Sequence, residues 1–188
     1  MSRLPLQTIE SAPEASRPYL ERSLANNGFL PNLVAALANA PTALEAYLTV
    51  GEINSRSGLT LAEREVVQIT AAAIHGCGFC VAGHTAVVLK KAKLASELVE
   101  GIRSRDTLDD ARLNAVARFT EAVIATRGAV EDAALDAFHA AGYSDAAALE
   151  VVLGVSLATL CNFANNLSKN PLNPELKAYE WTPATQAA

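Results

Sequence analysis

Aromatic residues make up only 5% of this 188-residue chain, and there is one tryptophan and one methionine. No apolar run is long. The longest, VVLGVSLATLCNFA after Glu150, has 14 residues, short of the roughly 20 a membrane-spanning helix needs. No segment alternates apolar and polar residues as a half-buried strand does. Basic residues are outnumbered, 15 Lys and Arg against 20 Asp and Glu, for a net charge of -5. That argues against a broad nucleic-acid surface, which needs clustered cations. The stretch MSRLPLQTIESAPEASRPYLER contains no apolar core of the kind that drives secretion, so a cytoplasmic, non-membrane protein is expected. Three cysteines are too few for a disulfide framework at this length. In a reducing compartment a close pair of them points to catalysis or metal binding.

What the chain has is small apolar residues. Hydrophobic types reach 51%, with alanine abundant, which favours closely packed helices. A single helical domain over residues 1–188 is expected, with an irregular, proline-containing tail at 171–188. Pro41 and Thr42 mark a helix start ahead of Leu44, Tyr47 and Leu48. Thr60 and Glu63 form a capping-box pattern before the apolar Val66, Val67, Ile69 and Ile74. A further helix resumes over CVAGHTAVVLKKAKL. Another runs through LDDARLNAVARFTEAVIATRG to a stop at Gly128. A shorter one ends at Gly142. The segment SDAAALEVVLGVSLATLCNFANNLSK is apolar on most sides, so it belongs in the core or at a subunit contact.

The informative stretch is GCGFCVAGH, residues 76–84. On a helix each residue turns about 100°, which places Cys77, Cys80 and His84 within about 60° of one another on one face. Glycines on both sides of Cys77 weaken any continuous helix there. A break puts Cys77 at the start of the next helix, where exposed N–H groups and the helix dipole stabilise a thiolate. If the chain folds back at that break, Glu65 lies about 16 Å before the turn and His84 about 10–12 Å after it. The two then come within about one helical turn of the same level. A carboxylate facing a histidine fixes its tautomer and raises its basicity, and a histidine facing a cysteine takes the thiol proton. The order is Glu65 as orienter, His84 as base and Cys80 as nucleophile, with Cys77 placed to resolve what Cys80 forms. His75, Cys77, Cys80 and His84 are also ligand types that zinc accepts. However, His75 and Cys77 straddle the break, and structural zinc sites usually draw ligand pairs from separate segments.

Glu65, Cys77, Cys80 and His84 at this spacing resemble the signature of the alkylhydroperoxidase D-like branch of the carboxymuconolactone decarboxylase family. The segment LTLAEREVVQITAAAIHGCGFCVAGHTAVVLK is similar throughout. So are GFLPNLVAALANAPTALEAYL upstream and AAGYSDAAALEVVLGVSLATLCNFANNL downstream, and the likeness spans residues 28–170. The resemblance implies an all-α, antiparallel helical bundle assembled into homo-trimers or hexamers. It implies a peroxidase that needs neither metal nor cofactor. Cys80 would attack a small peroxide and become a sulfenic acid, Cys77 would close a disulfide, and an external dithiol would restore both. Glu65 and His84 would form the proton relay. One position departs from the pattern: Phe79 stands just before the second cysteine, where characterised members of the branch have a histidine. Outside this constellation, Cys161 lies in an apolar run and is expected to be a buried structural thiol. Asn162, Asn165 and Asn166 form a polar cluster, either at a fraying helix end or in a buried network at a subunit contact.

Overall fold

The computed structural model describes residues 2–183. Among them there are nine α-helices and no strand: α1 (Arg17–Asn27), α2 (Asn32–Leu37), α3 (Pro41–Ser55), α4 (Leu61–Ile74), α5 (Gly78–Val87), α6 (Ser96–Ser104), α7 (Ala111–Thr126), α8 (Asp132–Ala140) and α9 (Asp145–Ser168). The expected all-α bundle is the fold that forms.

Local chemistry sets the helix ends. Pro41 opens α3 in its first turn, where the missing N–H costs nothing. The Thr60 Oγ1 accepts the Glu63 N–H at 3.3 Å, and the Glu63 carboxylate accepts the Thr60 N–H at 2.7 Å. That completes the capping box of α4. Asp110 caps α7 through the Leu113 N–H at 2.9 Å. α7 stops where Arg127 and Gly128 turn left-handed, at φ 56° and 90°.

α4 lies at the centre, packed against α5, α7 and α9. Its Val66, Val67, Ile69, Ala71 and Ala72 are fully buried, and each valine or isoleucine there stabilises the fold by about 1.5–3 kcal/mol. α9 crosses α4 at Gly154. A methyl group there would lie 2.9 Å from Val67 Cγ1, so a hydrogen side chain permits the close approach. Gln68 Nε2 donates to the Gly154 carbonyl at 2.9 Å across the same crossing.

By length and composition α9 is apolar enough to cross a membrane. One face of it, with Val151, Gly154, Leu157, Ala158 and Cys161, is nevertheless buried in the bundle. The opposite face leaves Leu149, Val152, Phe163 and Leu167 exposed. At 100° per residue these four share a stripe about 60° wide.

Two segments differ from the sequence reading. The helix after the glycines is shorter than CVAGHTAVVLKKAKL suggests. α5 gives way to a π-helical turn at Val88–Ala92, and Lys93 at φ 55° reverses the chain before α6. The tail is only partly irregular. Pro174–Tyr179 form a 3-10 helix, with Leu176 buried, and this turn packs on α5. Residues 184–188 of the tail lie outside the described residues.

Candidate functional site

The chain doubles back between α4 and α5. His75 caps α4, Gly76 takes φ 67°, and Cys77 becomes the N-cap of α5. A side chain at Gly76 would be strained in that left-handed conformation. The Cys77 N–H donates to the Ala72 carbonyl at 2.9 Å, which closes the turn. The tail covers the turn from outside. A methyl at Gly78 would sit 2.6 Å from the Trp181 carbonyl oxygen, so only glycine admits the tail at this distance.

The reversal brings the sequence-predicted residues together. His84 Nδ1 lies 2.7 Å from Glu65 Oε2, and Glu65 is buried. Cys80 stands one turn before His84 on α5. Cys77 Sγ accepts the Cys80 N–H at 3.4 Å and the Asn165 side-chain amide at 3.5 Å. One free N–H at the helix start therefore serves the sulfur of Cys77. Cys77 is 0% exposed, Cys80 4% and Cys161 2%, and all three are free thiols.

The asparagines are not a frayed end: Asn162 and Asn165 are buried and hydrogen-bonded within the chain. Asn162 Oδ1 lies 3.0 Å from His75 Nδ1, and Asn166 Nδ2 donates to the His75 carbonyl at 2.8 Å. With Asn165 on Cys77, they tie α9 to the reversal. The His75 ring packs edge-on against Phe163 at 5.0 Å. It faces α9 and takes no part in the thiol cluster. Among the described residues, no group of three or more His, Cys, Asp or Glu is set to hold a metal ion.

A cavity of about 580 Å³ opens on this cluster. Its buried lining includes Cys80 and Cys161, with His84 and Tyr47 beside them. Phe29, Leu33, Val34, Leu48 and Phe79 make its walls apolar, and exposed Lys90, Lys91 and Glu175 stand at its edge. Cys77 does not line it. Three residues here were not assigned to the site from sequence: Cys161, expected as a buried structural thiol, Asn165, expected in a polar cluster, and Tyr47, expected as an apolar helix position. Cys161 and Asn165 lie one turn apart in an otherwise apolar helix, a signal that gains meaning only once α9 is known to face the thiols.

Electrostatics divide the thiols. Hydrogen bonds to Cys161 and Cys77, and then burial, push the Cys80 thiol well up. The Cys80 thiol holds Cys77 below the ordinary thiol range, helped by the Cys80 N–H and Asn165 and opposed by burial. Cys161 is likewise lowered, by Cys80 first and by the charge of His84, again against burial. The three thiols therefore titrate as a coupled set, with Cys80 pushed up and Cys77 and Cys161 down. For His84, burial disfavours the charged ring, but the Glu65 carboxylate outweighs it and the pKa rises. Burial, then the neighbouring Cys161, Cys80 and Glu65, raise Tyr47 well above the ordinary phenol value, so it stays a hydroxyl donor.

A sequence profile of the carboxymuconolactone decarboxylase family matches residues 38–155. The chain belongs to the carboxymuconolactone decarboxylase family. Its fold is that of the alkylhydroperoxidase D-like branch. A peroxidase-related protein from Ralstonia eutropha JMP134, described as an alkylhydroperoxidase AhpD core, superposes with a TM-score of 0.82 at 23% identity, over 93% of this chain and 94% of that one. A second peroxidase-related protein, from Silicibacter sp. TM1040, gives 0.77 at 20%, over 93% and 92%. The debrominase Bmp8 gives 0.74 at 18%, over 93% and 94%, and a cysteine-to-alanine variant of it has been solved with 2,3,4-tribromopyrrole. At these identities the likeness is one of fold. A search of curated proteins by sequence gives no match.

Proposed function

We propose that this protein is a thiol-dependent peroxidase that reduces small organic hydroperoxides through a dithiol–disulfide cycle. The observation that carries the reading is the pairing of the buried Glu65 with the partly buried His84, one helical turn from a cysteine that opens onto an apolar cavity.

A carboxylate only accepts hydrogen bonds, so the Nδ1 bonded to Glu65 carries the ring proton and Nε2 is free to accept. In this reading Nε2 takes the Cys80 proton. The Cys80 thiolate attacks the distal peroxide oxygen, the O–O bond breaks, and the alkoxide leaves as the alcohol with a proton returned from His84. Tyr47 is a second hydroxyl donor to that oxygen. Cys77 then attacks the Cys80 sulfenic acid, the S–O bond breaks, water leaves, and a disulfide forms. An external dithiol reduces it. No metal or cofactor enters the cycle.

Phe79 adds an apolar wall where a histidine would add a donor, which favours alkyl or aryl hydroperoxides over hydrogen peroxide. The cycle requires a reducing compartment, in keeping with a cytoplasmic protein. The exposed α9 stripe, Leu149, Val152, Phe163 and Leu167, is the face through which copies of the chain would associate into trimers or hexamers.

The test is steady-state consumption of cumene hydroperoxide with dithiothreitol as reductant. Repeated turnover that saturates with peroxide is expected. A protein that oxidises once and then stalls is instead a redox sensor or binding module on the same scaffold.

A further inference from the structure

Cys80 faces two other thiols, and the two are not equivalent. Cys77 is wholly enclosed and does not line the cavity. Cys161 lines the cavity together with Cys80 and His84. Its position on α9 is fixed by the neighbours that grip the α4–α5 reversal. Asn165, one turn further along, bonds Cys77 Sγ at 3.5 Å, and the adjacent Asn162 bonds His75 at 3.0 Å. Asn162 Nδ2 also approaches Cys161 Sγ at 3.5 Å, and Cys161 itself reaches the Ala158 carbonyl at 3.3 Å. Cys161 is therefore a held sulfur on the cavity side of the cluster, with no part in the dithiol cycle described above.

We propose that Cys161 is a third redox thiol of this site, which condenses with oxidised Cys80 to form a disulfide joining α5 to α9. The proposal rests on the thiol-redox reading of Cys80. Peroxide converts the Cys80 thiolate to a sulfenic acid, releasing the alcohol. The Cys161 thiolate attacks the Cys80 sulfur, an S–S bond forms as the S–O bond breaks, and the hydroxide leaves as water with one proton. Cys77 can then attack Cys80 in that disulfide, returning Cys161 as a thiol and moving the link into the CxxC turn. The contact with Cys80 and the charge of His84 lower the Cys161 thiol, which increases its thiolate fraction for the attack. A Cys80–Cys161 disulfide borders the cavity, so a reductant's thiolate reaches it from there. A Cys77–Cys80 disulfide has one sulfur on a fully enclosed residue away from the cavity.

Tryptic peptides separate the two links. Cys77 and Cys80 both fall in residues 65–90, whereas Cys161 falls in 128–169. The full chain is treated with one equivalent of cumene hydroperoxide, free thiols are blocked with N-ethylmaleimide, and the unreduced digest is mapped by mass. A linked pair of 65–90 with 128–169 is expected in the wild type, and it becomes the main product in Cys77→Ser. The inference falls if the wild type shows only the internal link of 65–90 while Cys77→Ser accumulates a dimedone-reactive sulfenic acid with Cys161 alkylated. The wild-type map needs no substitution, so a misfolded variant does not decide the matter. Diamide, which oxidises dithiols directly, separates this proposal from the peroxidase reading. A diamide-induced link between the two peptides without peroxide consumption leaves Cys161 a redox thiol and removes the peroxidase. Peroxide turnover with no such link under either oxidant does the reverse.

Discussion

Glu65 Oε2 and His84 Nδ1 lie 2.7 Å apart and join the second turn of α4 to the second turn of α5. The contact exists because Gly76 reverses the chain between them. It keeps the ring's second nitrogen unprotonated in the neutral form, and it raises the pKa of His84 over the opposition of burial.

That shift fixes a pH dependence. The base form of His84 appears only above its raised pKa, so the rate of thiol oxidation by peroxide should climb with pH past the ordinary histidine value of about 6.5. Glu65→Gln removes the charge. It should move this limb to lower pH and slow oxidation by at least about tenfold, within the range general-base catalysis supplies. A stopped-flow profile of peroxide-driven oxidation reads both, and an unchanged limb in Glu65→Gln would remove Glu65 from the relay. The linkage to stability runs the other way. A raised folded-state pKa contributes stability that is fully present below the unfolded value and is lost as pH rises through the folded one. Urea midpoints should therefore fall over that interval in the wild type and less so in Glu65→Gln.

The two cysteines of the turn should separate by substitution. Cys80→Ser should abolish peroxide reduction. Cys77→Ser should still oxidise Cys80 in a first encounter, seen as loss of alkylatable Cys80 and, once Cys161 condenses with it, of Cys161 as well. The opposite assignment is required if Cys77→Ser is inert and Cys80→Ser still reacts with peroxide.

Gly78→Ala should dislodge the tail, because its new methyl would meet the Trp181 carbonyl at 2.6 Å. Trp181 is the only tryptophan in the chain, so its fluorescence reports the event directly. A red-shifted emission and faster thiol labelling of Cys77 are expected. An unshifted spectrum would mean that the tail does not close the turn in solution.

The α9 stripe should govern association. Leu149 and Leu167 are 70% and 63% exposed, so charging them costs the isolated fold little. Leu149→Lys with Leu167→Glu should lower the mass found by light scattering while far-UV circular dichroism stays helical. A wild type that is already monomeric, or a double variant that stays assembled, would move the interface elsewhere.

Much of this protein was legible before any coordinates. The capping residues Thr60 and Glu63, the stop at Gly128 and the glycine break around Cys77 are local signals. A backbone that needs an N-cap or a left-handed turn shows it within four or five residues. Spacing alone put Cys77, Cys80 and His84 on one face, and the reversal at the glycines set Glu65 opposite. The sequence could not show the early end of α5 or the 3-10 turn of the tail. Both depend on packing: the π-turn before Lys93, and the seat that α5 offers to Leu176.

What the sequence determined by itself is the all-helical architecture and the four-residue constellation, because helical periodicity and backbone stereochemistry act over short distances. Only the tertiary structure decided that Cys161, Tyr47 and Asn165 join that constellation. They lie on α3 and α9, tens of residues away, and the close α4–α9 crossing at Gly154 is what brings α9's polar face onto the thiols. The directions in which the three thiols shift were also decided there, since those depend on which groups become neighbours and how much water is excluded from around them.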